Sequence, residues 1–464
     1  MLNNTEKFID NVKKSLASEN VLCSYKECIE FALDASVVKN TENISVPAAV
    51  VFVQSKEDVI NVIKLAQKYN VPVVCRGAGT NTVGACRVEH GGIVLNFSKM
   101  NKIIEINREN MTATVQPGVV LGDLQREVEK CGLYYPPDPS NLKVSTIGGS
   151  IAQSSAGAKT FKYGSTKNYV LNLEVVTADG RVMYTGSDTV KNSTGYNLTS
   201  LFVGSEGTLG IITEATLKLI VKPETRCVMM AYFDTVEASV KTVNAIIENR
   251  ITPATIDFMD KNAINAVEKY YPANLLCDKE AALIIEVDGL AESVERQRDV
   301  IEKILFGMGA AEIKISHSDD EYEKIWRARR CSMLACAKIK PYVTTDDVIV
   351  PRQNLTKLVK GVQEICSKYN LTLCLIGHIG DGSLHPQIPI DYNDEDEYTR
   401  YKKAKSEIYE LTAQLGGILS GEHGIGADKR PYISKVVNSV ALDYMRAVKR
   451  TFDPDNILNP YKIF

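Results

Sequence analysis

The chain has 464 residues, 44% of them apolar and 24% charged, with a formal net charge of −3. That length exceeds one ordinary hydrophobic core and calls for about two or three domains. The near-neutral balance excludes the basic face that nucleic-acid binding needs, and the eleven cysteines form neither CxxC pairs nor an iron–sulfur run, so they read as reduced thiols of a cytoplasmic protein. The opening residues lack a signal-peptide core, and no stretch approaches the roughly 18 apolar residues of a spanning helix.

Residues 1–40 read as a helical segment. Val50–Val53 is a strand, Ser55 and Asp58 form a capping box, and a helix follows with Val59, Ile60, Ile63 and Ala66 on one face. Val71–Cys75 then returns as the second strand of a βαβ unit. It runs directly into Arg76-Gly77-Ala78-Gly79-Thr80-Asn81, with Gly84 beyond. Glycines at the end of such a strand let backbone N–H groups curl around an anion. The spacing is neither that of a Rossmann fingerprint nor that of a P-loop.

Strands are expected at 93–97, 102–106, 111–116, 170–177, 181–184 and 214–221, with an Asp179-Gly180 turn. Between them lie Tyr134-Tyr-Pro-Pro-Asp-Pro139, Ser145-Thr146-Ile147-Gly148-Gly149, Ala156-Gly157, Tyr163-Gly164 and Gly204-Ser-Glu-Gly-Thr-Leu-Gly210. Several separate glycine loops in one strand-rich domain point to a long ligand threaded against backbone. A dinucleotide has that length.

After Lys222-Pro223 the pattern changes. Residues 227–317 alternate strand and helix in a manner that fits a ferredoxin-like α+β module. A long helix is expected around Ile325–Ala337, then a strand before Pro351 and a helix over 353–369. A further helix near 395–415 starts acidic and turns basic, which reads as a solvated, dipole-matched face.

Three of the five histidines fall in Gly377-His-Ile-Gly-Asp-Gly-Ser-Leu-His385 and Ser420-Gly-Glu-His-Gly-Ile-Gly426. Asp381-Gly382 is a two-residue hairpin signal. With those residues as the turn, His378 lies directly opposite His385, their Cβ atoms roughly 5 Å apart. Two imidazoles so held can close on one divalent ion, with Glu422 as a third ligand.

The strand followed by RGAGTN, then PPDP, STIGG, SSAG, YG and GSEGTLGI, in that order, resembles the FAD-binding domain of the vanillyl-alcohol oxidase and p-cresol methylhydroxylase superfamily. The second half, with GHIGDGSLH, SGEHGIG and Phe452-Asp-Pro-Asp-Asn-Ile-Leu-Asn-Pro460, resembles its glycolate oxidase subunit and D-lactate dehydrogenase branch. The likeness covers nearly the whole chain from about residue 40 onward.

It implies an α+β fold: a two-part FAD-binding domain of the p-cresol methylhydroxylase type, a ferredoxin-like substrate or cap domain, and a C-terminal segment returning to the FAD domain. The corresponding boundaries are 1–40, 41–222, 223–420 and 421–464. Arg76 to Asn81, with Gly84, would cradle the FAD pyrophosphate, and Pro137, Asp138, Ser145, Thr146, Gly149 and Gly157 would line the flavin. Glu206 with Ile211 or Ile212 would meet the adenine or ribose end, and Asn459 would return to the flavin domain. Relatives that bind flavin covalently use a histidine or tyrosine. His90, the one histidine in this half before the cap, sits outside the Arg76–Asn81 loop, so the FAD is expected to be non-covalent.

Oxidising a 2-hydroxy acid needs a base of near-neutral pKa, a two-electron acceptor and positive charge for the carboxylate. His423, beside the expected ligand Glu422, fits the base. Arg329 matches the family's substrate arginine, and its planar fork suits a carboxylate, while Arg327 and Arg330 leave that helix face. In the 2-hydroxyglutarate dehydrogenases of this family a threonine and a lysine hold the longer acid. Here those positions read Met333 and Thr345, which favours a small acid such as D-lactate or glycolate. Asp347 and Gln387 are expected to support the ligands. The metal is zinc, ferrous iron or manganese on ligand type. The chain holds no second redox group, so electrons would pass to a partner such as an electron-transfer flavoprotein, and homodimerisation stays open. Two other readings are a flavin-bearing transferase of the alkyl-glycerone-phosphate synthase type and a non-catalytic FAD-binding subunit. The His378, His385, Glu422 and His423 set argues against both.

Overall fold

The structure, a computed structural model, describes residues 2–39 and 44–464, and the expected boundary at 40/41 lies outside the described residues. The chain divides into two compact units, one of Met1–Ser155, Ser165–Lys222 and Glu422–Phe464 and the other of Ala156–Gly164 and Pro223–Gly421. No helix among the described residues is long and apolar enough to cross a membrane.

The first unit carries β1 (Val21–Leu22), β2 (Ala49–Phe52), β3 (Val73–Arg76), β4 (Ile93–Asn96), β5 (Ile103–Asn107), β6 (Thr112–Val115), β7 (Leu133–Tyr134), β8 (Val170–Val176), β9 (Val182–Tyr184), β10 (Ile211–Lys218) and β11 (Ile220–Val221). They form a sheet of order β1-β2-β4-β3, a second of order β5-β6-β10-β8-β9, and the pair β11-β7. The predicted βαβ unit is present with one difference. β4 lies between its two strands and runs parallel to both, Val94 facing Val50 on one side and Val74 on the other.

The connecting helix, Lys56–Tyr69, starts as predicted at a Ser55/Asp58 capping box and stops at Asn70 in the left-handed region, φ 53°. Its buried stripe is Val59, Val62, Ile63 and Ala66. Ile60, expected on that face, is half-buried, because it lies about 100° round the helix from Val59. Each of these valines and isoleucines stabilises the unit by about 1.5–3 kcal/mol on burial. Loss of the Ser55 cap would cost about 1 kcal/mol. The first forty residues are less helical than expected. Leu2–Ser15 is a helix that buries Phe8 and Val12 against the same core, but Val21 and Leu22 pair with Val51 and Val50. An available strand edge overrides local propensity there.

The second unit carries β12 (Thr225–Phe233), β13 (Thr255–Asp260), β14 (Ala281–Gly289), β15 (Ala310–Ile315), β16 (Tyr342–Thr345), β17 (Val348–Ile349), β18 (Cys374–Gly377) and β19 (Ser383–Ile390). The sheet runs β15-β12-β14-β13-β18-β19-β16, and β17 also pairs with β19. On one face Val228, Met230, Met259, Ile284 and Ile376 pack against Ala263, Ile264 and Val267 of the helix Lys261–Tyr270 and Tyr322 and Trp326 of the helix Asp319–Arg330. The expected helix 325–337 is two pieces, Asp319–Arg330 and Ser332–Cys336, which break at Cys331.

Ala156–Gly164 joins this unit through buried charge. Lys159 pairs with Glu286 at 3.3 Å, Lys162 with Asp288 at 2.5 Å, and Tyr163 donates to Asp288 at 2.9 Å. Glu286, fully buried on β14, also accepts from Tyr322 at 2.7 Å and Trp326 Nε1 at 2.9 Å. Leaving one of these charges unpaired would cost about 3–5 kcal/mol.

Candidate active site

The histidine hairpin differs from its predicted register. Ile376 faces His385 and Cys374 faces Gln387, so the pairing is displaced by two residues and His378 lies beyond the last ladder pair. The turn is also wider than Asp381-Gly382 alone, since His378 O accepts from both Asp381 N and Ser383 N at 3.2 Å. A shift of two preserves the face, whereas a shift of one would have sent a ring to the other side. The imidazoles therefore still meet, their centroids 5.1 Å apart at 81°.

A second register adds a residue that the sequence reading missed. β13 and β18 pair with Phe258 facing Gly377, and one step further Asp257 reaches His378 Nδ1 with Oδ1 at 2.6 Å. Its other oxygen, Oδ2, lies 2.7 Å from Arg329 Nε. Burial alone would raise the Asp257 pKa, but His378 and Arg329 outweigh it and hold the carboxyl below its ordinary value. A carboxylate at Asp257 accepts from a protonated Nδ1, the arrangement that presents Nε2 of His378 as the ligand nitrogen. His385 is turned similarly, its Nδ1 lying 3.2 Å from the carbonyl oxygen of Asp346. Arg329 is buried, while Arg327 and Arg330 are exposed, as expected. The available signal for Asp257 was a lone acid inside the apolar run Thr255-Ile-Asp-Phe-Met.

Asp347 shapes the loop that follows. Its Oδ2 accepts Ser420 Oγ at 2.8 Å and Gly421 N at 2.7 Å, and its Oδ1 accepts Ser383 Oγ at 3.4 Å. Gln387, on the same strand as His385, buries an Oε1 with no hydrogen-bond partner among the described residues. Glu422 is one peptide bond past Gly421. His378 and His385 lie close enough to share one ion. Two imidazoles, with both Nδ1 atoms engaged behind them, are donors that fit a divalent transition ion.

In the first unit the glycine loop follows β3. Arg76 is buried, and its Nη1 donates to Leu33 O at 2.7 Å with the guanidinium over the Phe31 ring. A Cβ on Gly77 would fall 2.1 Å from Thr146 Oγ1, so only glycine allows that approach. Ala78 is exposed, Gly79 and Thr80 are half-buried and Gly84 is buried. Thr146 caps the helix Ile147–Gln153 by accepting from Gly149 N. The neighbouring Ser145 and Ser150 bury hydroxyls with no hydrogen-bond partner among the described residues. A cavity of about 530 Å³ opens next to this loop, lined by Gly77, Ala78, Ser98, Gly118, Val119 and Thr146 among others. Gly118 and Val119 were not singled out by the sequence reading. A loop glycine with no room for a side chain, buried hydroxyls and an adjoining cavity together fit a dinucleotide.

Other residues named from the resemblance take varied places. Pro137 is buried, its carbonyl accepting Gln125 Nε2 at 2.9 Å, and Asp138 is half-buried. Gly157 belongs to the segment counted with the second unit. Ile211 and Ile212 are buried on β10 opposite Val176 and Val175. Asn459 Nδ2 donates to Ala85 O at 3.0 Å and Glu206 O at 2.6 Å. The Glu206 carboxylate accepts Ile425 N and Gly426 N. Asn81 donates to His423 O at 3.0 Å while accepting Val83 N and Ala85 N. The main chain that carries His423 is thus fixed by Asn81 and Glu206, and the His423 ring lies 3.9 Å from the Glu422 carboxylate. His90 is exposed against the Tyr461 ring.

Residues 47–186 match the family described as FAD binding domain, and residues 222–463 match FAD linked oxidases, C-terminal domain. The glycolate oxidase subunit GlcD of Bacillus subtilis is 43% identical over 90% of this chain and 89% of its own length. The D-lactate dehydrogenase of Anaerostipes hadrus is 32% identical over 97% of this chain and 96% of its own. The solved structure of p-cresol methylhydroxylase with substrate bound superposes with a TM-score of 0.86, covering 100% of this chain and 97% of that one. At 17% identity that likeness bears on the fold alone.

The family matches define an FAD-linked oxidoreductase. The chain belongs to the FAD-linked oxidases, in the branch of GlcD and the D-lactate dehydrogenases.

Proposed function

We propose that this chain is a dehydrogenase of a small D-2-hydroxy acid, D-lactate first with glycolate as the alternative, using non-covalent FAD and one divalent ion. The observation that carries the reading is the pair of facing imidazoles at 378 and 385, both with Nδ1 engaged from behind. The relatives named glycolate oxidase subunit and D-lactate dehydrogenase supply the substrate class.

In this reading His378, His385 and Glu422 hold the ion, which when bound lowers the pKa of the substrate hydroxyl. Arg329 takes the carboxylate through the two nitrogens of its fork, and its burial excludes competing water. His423 removes the hydroxyl proton. FAD, when bound, supplies the two-electron acceptor. Reoxidation falls to a partner, for which an electron-transfer flavoprotein is the leading candidate.

The test is anaerobic bleaching of the purified flavoprotein by a panel of D- and L-hydroxy acids, with and without chelator. D-lactate should bleach it, L-lactate should not, and chelation should stop the reaction until one ion is restored. Bleaching by no 2-hydroxy acid in the metal-replete protein would end this reading.

A further inference from the structure

Resting on that reading, we propose that Asp257 is a positioning residue that sets the substrate-binding fork of Arg329 and the metal-binding nitrogen of His378 from a single carboxylate. Oδ1 takes Nδ1 of His378 at 2.6 Å, and Oδ2 lies 2.7 Å from Nε of Arg329. Asp257 is 1% exposed, so water does not compete for either oxygen. The strand pairing that faces Phe258 with Gly377 projects Asp257 across from His378. The helix Asp319–Arg330 brings Arg329 over the same face of the sheet, where Tyr322 and Trp326 of that helix also pack.

The choice of atoms matters. The ion pair sets Oδ2 of Asp257 at the inner, Nε edge of the guanidinium by charge, without the alignment of an N–H hydrogen bond, and leaves the terminal nitrogens to meet a carboxylate side by side. Nη1 makes a long 3.5 Å contact to Ser332 Oγ. Holding histidine by Nδ1 fixes the ring rotation and the tautomer, so that Nε2 is the ligand. One rigid carboxylate therefore determines the spacing between the guanidinium that would receive the substrate carboxylate and the imidazole of the ion site that would serve the substrate hydroxyl. In a 2-hydroxy acid those two functions sit on adjacent carbons. Asp257 acts in this way as a gauge for 2-hydroxy over 3-hydroxy acids.

The experiment compares wild type with Asp257→Asn, Arg329→Lys and the double variant, all as FAD-loaded protein. Calorimetric titration with Mn²⁺ alone reads metal affinity, and steady-state kinetics read KM and kcat for D-lactate and D-3-hydroxybutyrate. Asp257→Asn should weaken Mn²⁺ binding by about 10- to 100-fold, raise KM for D-lactate and narrow the preference for the 2-hydroxy acid. Arg329→Lys should raise KM while leaving Mn²⁺ affinity within about threefold of wild type. The double variant should show a KM no more than about threefold above Arg329→Lys, because both changes break one contact. Mn²⁺ binding by Asp257→Asn within threefold of wild type, or fully multiplicative KM effects, overturns the proposal.

Asp257→Asn leaves Arg329 buried beside a neutral group and can fail to fold. Histidine-selective ¹⁵N spectra of the metal-loaded wild type then decide the matter, with His378 assigned through His378→Gln. A protonated Nδ1 on His378 supports the proposal, and a protonated Nε2 overturns it. Absence of Mn²⁺ binding in wild type, or binding untouched by His385→Ala, would instead remove the metal reading beneath it.

Discussion

Glu206 accepts the backbone N–H of Ile425 at 2.7 Å across 219 residues of chain. Its second oxygen accepts Gly426 N at 2.8 Å, so one carboxylate closes the loop that carries His423 onto the FAD-binding unit. Burial pushes the Glu206 pKa from 4.5 up to about 7, against the pull of those two N–H donors. A folded-state pKa above the unfolded value means that the native protein binds the proton more tightly. The contribution to stability is full below pH 4.5 and is lost as the pH rises through about 7. Each pKa unit is about 1.4 kcal/mol, so the whole change is about 3 kcal/mol. Glu206→Gln cannot titrate and should lack this decline. Urea unfolding at a series of pH values should show the variant gaining about 3 kcal/mol relative to wild type between pH 4 and 8. Parallel profiles for the two proteins would mean that burial does not control this carboxyl.

Gly77 gives a test of the nucleotide cradle. Its missing Cβ would lie 2.1 Å from Thr146 Oγ1 and 3.3 Å from Thr146 Cβ, so alanine must push aside the residue that caps the helix Ile147–Gln153. Gly77→Ala should be purified largely without FAD, with affinity lowered at least about tenfold, the equivalent of about 1.4 kcal/mol. Adding Thr146→Ala removes the obstructing oxygen and should recover part of that affinity at the cost of the cap, itself about 1 kcal/mol. Unchanged FAD content in Gly77→Ala would place the cofactor elsewhere.

Local chemistry in this chain is legible, and pairings between distant segments are not. The Ser55/Asp58 box, the helix it starts and the strand that leads into Arg76 all follow from short-range pattern. The position of β4 between β2 and β3 does not, because nothing in a strand's own residues names its neighbours. His378 and His385 could be paired from their spacing even though the register is displaced by two, since side chains alternate with period two. Asp257 lies 121 residues from His378, and only the β13–β18 ladder makes them partners. Glu206 was read at the adenine or ribose end from likeness alone, while its oxygens accept Ile425 N and Gly426 N. The 156–164 segment sits among the glycine loops in sequence, yet buried Glu286 and Asp288 draw its lysines into the second unit.

His423 can be tested without disturbing the loop. Its carbonyl, not its ring, accepts the Asn81 bond, and the neighbouring loop contacts are made by main-chain groups of Ile425 and Gly426. His423→Ala should therefore keep FAD bound while slowing anaerobic flavin reduction by D-lactate about 10²- to 10⁴-fold, the usual worth of a positioned base. Stopped-flow absorbance reads both quantities on the same sample. Reduction at the wild-type rate would move the base role to another group.

The size of the acid is the last point that the residues address. Met333 is 36% exposed and Thr345 is half-buried at the end of β16, one residue before Asp346, whose carbonyl orients His385. Neither residue offers a charge to a second carboxylate. In the resemblance that frames this family, a threonine and a lysine at those positions hold the distal acid of 2-hydroxyglutarate. Met333→Thr with Thr345→Lys should therefore add a donor and a cation where the chain now has a thioether and a hydroxyl. Pairing a carboxylate with a partly buried ammonium is worth about 1.5–3 kcal/mol, so kcat/KM for D-2-hydroxyglutarate should rise by about one to two orders of magnitude relative to D-lactate. The lysine alone should supply most of the gain. A double variant with an unaltered ratio would show that these two positions do not line the path of the longer acid, and that the proposed preference for a small substrate has to rest on other side chains.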